Sequence, residues 1–526
     1  MSCASRFQVP ISAALLLLLT ATGPVAAQVR APALPVGPLT LDQVLELADA
    51  RSETIAIAEA GVRRAEGEQV RARSGLYPQL SASASYDRSL ASEFEGVFDD
   101  QNFLGNDDDQ AADGGLEDLP FGRANTWRLS LAFTQNIYTG GRLGAQAAVA
   151  AAGRDAASLG VTTTRAQLLF DVTQAYYDAA LSDRLVAIAE ATLEQSGATL
   201  KQTQAGFDAG TQPEFEVLRA RVTRDNQAPL VIRQRVNREV AHLRLKQMLD
   251  LPADYELRLA DALGDERLAP APVFAQRITP IEAAMRVIDP VTFPLTVDAG
   301  VLPDRTAISE AVSTVTLREA SLALTEAQRR PSVSLNSTYS RVAYPSAFFP
   351  AFDRTNWTVG VSVNLPILTG GRQRGDEQVA RAELDQARVQ LRQIEELAAL
   401  DTRSAWAELL AARAAWESTA GTVQQASRAY EIADVRYRAG VSTQLELSDS
   451  RLLLQQAEAN RAQAARDLQV ARARVALLPD LPLAGGALLP RVPQNQPQAP
   501  VQPQQPAGGT IRNAAAQGAP AQTGTR

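Results

Sequence analysis

The stretch NIYTGGR from Asn136 recurs as PILTGGR from Pro366, and no other feature of this 526-residue chain limits its fold as strongly. Trp127 and Trp357, Ile137 and Ile367, and Gly210 and Gly440 all stand 230 residues apart. Upstream, Pro78 of YPQLSAS and Pro331 of RPSVSLN are offset by 253, so the first copy is 23 residues longer between Pro78 and Trp127. A repeat of this size, held in register, means two copies of one structural unit, and such repeats set an architecture before any motif does.

Each copy carries two strand signals. Leu80, Ala82, Ala84 and Tyr86 alternate with serines, and Trp127, Leu129, Leu131 and Phe133 alternate with Arg128, Ser130, Ala132 and Thr134. In the second copy Val333, Leu335 and Tyr339 alternate with Ser, Asn and Thr, and so do Trp357, Val359, Val361, Val363 and Leu365. Period two, with one apolar face and one small polar face, is the pattern of a lipid-facing barrel strand. A soluble sheet with one wet face is the alternative. Aromatic residues at the strand ends, Tyr77, Trp127, Tyr138 and Trp357, favour a membrane interface. Four strands cannot close a barrel, since about eight is the smallest number that closes around packed side chains. Lipid forbids open edges. A barrel must then be shared, and three copies would supply twelve strands.

From Gly141 to Gly210 and from Gly371 to Gly440 the chain carries no proline and is rich in good helix formers. Each stretch would reach about 100 Å as a continuous helix. Helices so long need neighbours along their length. Their apolar spacing is helical, as in Leu384, Ala387, Leu391, Ile394 and Leu397. Gly210 and Gly440 suit left-handed helix ends, and return helices are expected from near Pro213 and Thr443 to Leu251 and Leu478. Further helical stretches, about 41–74 and 303–330, lead into the first strand of each copy. The paired glycines Gly140–Gly141 and Gly370–Gly371 mark tight strand-to-helix junctions.

The chain opens with one early charge, Arg6, then an apolar run from Ile11 to Leu19, with Val25 and Ala27 before a cut at Gln28. That is the pattern of a secretory signal peptide, residues 1–27. The one cysteine, Cys3, precedes the cut. No later segment has the ~18 consecutive apolar residues of a membrane helix. A formal net charge of −8 argues against nucleic acid as a partner. The expected organisation is a first repeat over 28–250, an irregular equatorial segment over 251–303, a second repeat over 304–479, and a disordered Pro/Gln/Ala-rich tail over 480–526.

In order and spacing, the duplicated unit, the LTLDQVLELA opening, GLYPQLSASASY, the two TGGR junctions and YRAGVSTQLELSDSRLLLQQAEANRAQA resemble the outer membrane efflux protein family, the TolC-like channels. The resemblance covers about 39–479. It implies an α+β membrane protein: a homotrimer with a twelve-stranded barrel in outer-membrane lipid, continued by a long periplasmic helical barrel. Each chain would give four strands and two helical hairpins. It implies an exit duct for efflux or type I secretion, opened by an inner-membrane transporter and a periplasmic adaptor, with no enzymatic role and no cofactor. A structural periplasmic coiled-coil protein or adhesin is the alternative.

The resemblance also implies a periplasmic gate at the Gly210 and Gly440 turns. Tyr437 is similar to the family's gate tyrosine, and Glu446 and Asp449 stand where members carry two tunnel-facing aspartates. Glu216 stands where the first copy has its tyrosine-bonding acid. Ser442 replaces an arginine that ties the closed state in some members. Independently, Glu446 and Asp449 share one helix face, and a threefold axis would gather six carboxylates at a constriction that favours cations. The alternatives are a solvated helix surface for the acids and plain helix packing for Tyr437.

The acidic stretch from Glu93 to Pro120 accounts for the extra length of the first copy. It lacks the glycine placement of a calcium loop and reads as a solvated loop between two strands, with calcium or a basic extracellular contact as the alternative. His242, the one histidine, reads as a packed or surface residue and cannot build a multi-histidine metal site.

Overall fold

Two helices of 67 residues each, about 100 Å long, set the dimensions of the protein. The computed structural model describes residues 37–90, 125–260, 263, 268–285, 304–344 and 354–483. The expected signal peptide, the acidic loop and nearly all of the tail lie outside the described residues. The elements run α1 (Leu41–Arg51), α2 (Glu53–Ser74), β1 (Gln79–Arg88), β2 (Asn125–Tyr138), α3 (Arg142–Asp208), α4 (Glu214–Met248), α5 (Pro272–Met285), α6 (Thr306–Ala327), β3 (Ser332–Ala343), β4 (Arg354–Asn364), α7 (Arg372–Arg438) and α8 (Gln444–Leu477).

The two copies fold alike: helix, two strands, long helix, return helix. Helix α3 packs against α4 and α8 along one half and against α2 and α6 along the other, and α7 packs against α6 and α8. Many of the buried positions on α3 are alanine, including Ala152, Ala166, Ala175, Ala179 and Ala189, which lets backbones approach closely. No described helix is long and apolar enough to cross a membrane.

Midway along the helices lies the main core. Leu41, Val44, Tyr176, Leu245, Ile278, Leu409 and Leu468 are all buried there. Leu39 bridges to Leu259, and the Tyr176 hydroxyl donates to the Leu39 carbonyl at 3.1 Å. This belt holds a correction to the reading of 251–303 as irregular. Residues Pro272–Met285 form helix α5, although Pro280 lies inside it. Phe274 and Ile278 are buried against the core, and that tertiary burial outweighs the local cost of the proline. The stretch 41–74 is also two helices: Ser52 is extended and caps α2, its Oγ accepting from Ile55 N at 3.4 Å.

The sheet is antiparallel throughout, in the order β1-β2-β3-β4. Opposed residues share a face. Ala82, Leu131, Tyr339 and Trp357 form one cross-strand row on the apolar face, and Leu80 and Phe133 pair on it too. The other face presents Ser83, Ser130, Ser340 and Asn356 in the next row. On β4 the apolar residues Val359, Val361 and Val363 are 63–67% exposed in the single chain. Trp127 and Trp357 stand toward the end of the sheet remote from the helices, while Tyr77 and Tyr138 lie at the helix end, both exposed.

Candidate functional site

The tip of each long helix ends on a glycine that an L side chain would strain. Gly210 has φ +74° and Gly440 has φ +70°. In the first copy Gly210 N donates to Phe207 O (2.9 Å) and Thr211 N to Gly206 O (2.8 Å). In the second, Gly440 N donates to Tyr437 O (3.0 Å) and Val441 N to Arg436 O (2.9 Å). This paired closure satisfies the last carbonyls of both helices and turns the chain sharply. The return helices then start differently. Thr443 caps α8, its Oγ1 accepting from Glu446 N at 3.4 Å, whereas Pro213 caps α4 without a side-chain bond.

Tyr437, in the last turn of α7, is buried with Ala433 and Leu447. Its hydroxyl lies 2.8 Å from Oγ1 of Thr203 on α3, and Thr203 Oγ1 donates to Thr199 O at 2.9 Å. The hydroxyl is therefore not bonded to Glu216 within the chain, where the resemblance would set the bond. Glu216 faces Gln444 instead. With its amide oriented so that the nitrogen faces the carboxylate, the orientation the surrounding donors and acceptors require, Gln444 donates to Glu216 Oε2 (2.8 Å) and to Glu216 O (3.1 Å), and accepts from Ala220 N (3.0 Å). Gln444 is buried, so this one amide stitches the starts of α4 and α8 together. One turn and more farther along α8, buried Arg451 donates to Thr199 Oγ1 at 2.9 Å. Thr199 thus accepts from Thr203 at its carbonyl and from Arg451 at its hydroxyl, tying α3 to α8, while Thr203 itself meets Tyr437 of α7.

The two acids are unequal. Arg436 Nη1 donates to Glu446 Oε1 at 2.7 Å, across the hairpin between α7 and α8. Asp449 is exposed and makes no hydrogen bond or ion pair among the described residues. Ser442, where an arginine was noted as missing, is partly buried, and its hydroxyl has no partner among the described residues. Sequence reading found Tyr437, Glu216, Glu446 and Asp449 but missed Thr199, Thr203, Arg436, Gln444 and Arg451. The i, i+4 spacing of Thr199 and Thr203 was the available signal that the two share one face of α3.

The strand-to-helix junctions hold the sheet on the helices. Gly140 and Gly141 have φ +64° and +90°, and Gly370 and Gly371 have φ +59° and +87°. Gly140 is also crowded: an added Cβ would stand 2.4 Å from Cβ of Arg330. Arg330 Nη1 donates to the Gly140 carbonyl at 3.1 Å, tying the first junction to the end of the α6 segment.

His242 lies in the packed interface of α3 and α4, its Nε2 3.1 Å from Asp183 Oδ1, which also accepts from Arg238. Burial works to raise the Asp183 carboxyl, but hydrogen bonds and charge from His242 and Arg238 outweigh it and hold it below its ordinary range. No group of three or more His, Cys, Asp or Glu able to hold a metal occurs among the described residues.

The duplicated hairpins and the sheet they carry are matched across nearly the whole described chain by one family. The profile of the outer membrane efflux proteins fits residues 44–250 and 301–479. This chain belongs to the outer membrane efflux protein family. Its relatives include OpmQ of Pseudomonas putida, named as a pyoverdine export outer membrane protein, 26% identical over 452 residues, 83% of this chain and 84% of OpmQ. The outer membrane efflux protein BepC of Brucella suis is 22% identical over 303 residues, 58% of this chain and 61% of BepC. Among solved structures, the Campylobacter jejuni CmeC outer membrane channel superposes with a TM-score of 0.67 at 16% identity, covering 84% of this chain and 86% of that one. The open state of the Neisseria gonorrhoeae MtrE outer membrane channel gives 0.64 at 17% identity, covering 84% and 89%. At such identities these structures speak for the fold. As a member of the outer membrane efflux protein family, the chain is an outer-membrane channel for efflux and not an enzyme.

Proposed function

We propose that three copies of this chain close into one export duct, a twelve-stranded barrel in the outer membrane continued by a tunnel of helices through the periplasm. The observation that carries this reading is a four-stranded sheet with two open edges and an exposed apolar face. Among the described residues β1 and β4 each leave one side without a neighbouring strand, and hydrocarbon does not tolerate unpaired backbone. Joining β4 of one chain to β1 of the next removes both edges and leaves a lumen, because twelve strands exceed the ~8 that close on packed side chains. The helices support the same assembly. Leu218, Val222, Ile232, Val236 and Val240 form an exposed apolar stripe on α4, and Val379, Val389, Leu400 and Val435 are exposed on α7. These are the flanks that neighbouring chains would cover.

In this duct Tyr437, Glu216, Glu446 and Asp449 form the gate at the periplasmic tip, with Gly210 and Gly440 making its turns. A periplasmic adaptor docks at the helical tip, and an inner-membrane transporter drives opening. The relative named for pyoverdine export favours a small-molecule cargo over a secreted protein. Cell fractionation tests the reading: the protein is expected in outer-membrane fractions as a detergent-resistant trimer. Recovery as a soluble periplasmic monomer overturns it. Cross-linking before purification then names the transporter, and through it the cargo.

A further inference from the structure

The polar face of the sheet is almost free of charge. Strand β1 presents Ser81, Ser83 and Ser85 on it, and β4 presents Asn356, Thr358 and Ser362. Among the described strand residues this face holds three charged side chains, Asp87, Arg128 and Arg354, all toward the end remote from the helices. The register aligns the two arginines. Arg128 lies opposite Ser85 on β1 and Val342 on β3, and Val342 lies opposite Arg354 on β4. They therefore occupy one cross-strand row, two strand spacings or about 10 Å apart, and point to the same side. That side is opposite to the one bearing Trp127 and Trp357. Arg128 is exposed, and the Arg354 guanidinium stands 5.6 Å from the centre of the Tyr344 ring. Asp87 sits on β1, two residues farther out than this row, opposite neither arginine but Thr126 on β2.

We propose that Arg128 and Arg354 form an anion-recognition band at the outer mouth of the lumen, for solutes that carry carboxylate or phosphate groups. The inference rests on the closed-barrel reading above. Threefold repetition brings six guanidinium groups and three Asp87 carboxylates round the mouth, an excess of positive charge among the described strand residues of this face. The tilt of barrel strands sets the row oblique to the axis and spreads the arginines into two tiers. A guanidinium is a planar fork that pairs two-pronged with carboxylate or phosphate. The low-dielectric barrel wall focuses its field into the lumen. Below the band, hydroxyl and amide groups line the tube without fixed charge. Once past the acidic tip, an anionic cargo is thus neither held nor repelled by the barrel wall until it meets the arginines at the exit, and a cation inside the barrel meets its barrier there.

The mature chain expected from the sequence has no cysteine of its own, since Cys3 precedes the cut, so one engineered thiol reports on the lumen. Ser130, two residues along β2 from Arg128 and opposite Ser83 and Ser340, is the site. Ser130→Cys is made alone and together with Arg128→Gln and Arg354→Gln. Intact cells are then treated with the anionic sulfonatoethyl or the cationic trimethylammonioethyl methanethiosulfonate. The ratio of the anionic to the cationic rate is expected to fall about tenfold when both arginines are replaced. An unchanged ratio overturns the band and leaves the barrel standing. A Ser130→Cys chain that reacts with neither reagent shows that the polar face is not water-filled, which overturns the barrel reading and the band with it.

Discussion

The hydroxyl of Tyr437 meets that of Thr203 at 2.8 Å, joining the last turn of α7 to α3 across 234 residues of sequence. This contact, with the Thr199–Arg451 bond beside it, links the two helical hairpins near the tip. Tyr437→Phe and Thr203→Val each remove it at a cost of about 1 kcal/mol. Each is expected to raise the single-channel conductance of the purified channel in planar bilayers, and the double variant to exceed neither by much, because both delete one bond. Conductance unchanged in both would show that the contact packs the helices without holding the tip.

The acids of the tip are expected to contribute unequally to its cation preference. Arg436 already balances Glu446 at 2.7 Å, while Asp449 has no such partner among the described residues. Asp449→Asn should weaken blockade by trivalent cations from the periplasmic side more than Glu446→Gln does. Arg436→Gln should strengthen it. If Glu446→Gln proves the more damaging, Arg436 does not neutralise its partner in the assembled tip.

On β4, Val361 is exposed on the apolar face, and Ser362, on the other, shares a 2.7 Å hydrogen bond with Ser334. Val361→Arg is expected to destabilise barrel assembly by about 2–4 kcal/mol if it meets mid-bilayer lipid. Ser362→Arg, pointing to water, should do much less. The yield of detergent-resistant trimer measures both, and equal yields would invert the faces assigned here.

The two copies should differ at their junctions. Gly140→Ala meets both left-handed backbone strain and Cβ of Arg330 at 2.4 Å, whereas an added Cβ at Gly370 meets nothing within 4 Å. Gly370→Ala is then expected to cost about 1–2 kcal/mol from backbone strain alone, and Gly140→Ala visibly more. The thermal midpoint of the trimer ranks them.

Asp183 gives the middle of the helices a pH dependence of definite sign. Its carboxyl is held below the ordinary value in the folded chain by His242 and Arg238, against the opposing effect of burial. Its contribution is therefore fully present above the unfolded carboxylate pKa and is lost as pH falls through the lower folded value. Helical circular dichroism followed in acid should show the wild type losing more stability than Asp183→Asn over that window. Parallel curves for the two would assign the loss to other carboxylates.

Local physics left a clear record in the sequence. Period-two alternation marked all four strands, proline-free runs between glycines marked the two 67-residue helices, and Gly210 and Gly440 marked the turns at their ends. Each signal lies within a few residues of what it specifies. Helix α5 escaped notice because Phe274 and Ile278 are held by burial against distant helices, which outweighs two prolines nearby.

The partners at the tip were decided by tertiary structure alone. Sequence spacing brought out Tyr437, Glu216, Glu446 and Asp449, yet Tyr437 bonds Thr203, Glu216 bonds Gln444 and Glu446 bonds Arg436. A shift of one residue between two long helices turns each side chain by about 100° and exchanges every cross-helix partner. Nothing within either helix records that register. It follows from how the whole length of α3 seats against α4, α6 and α8.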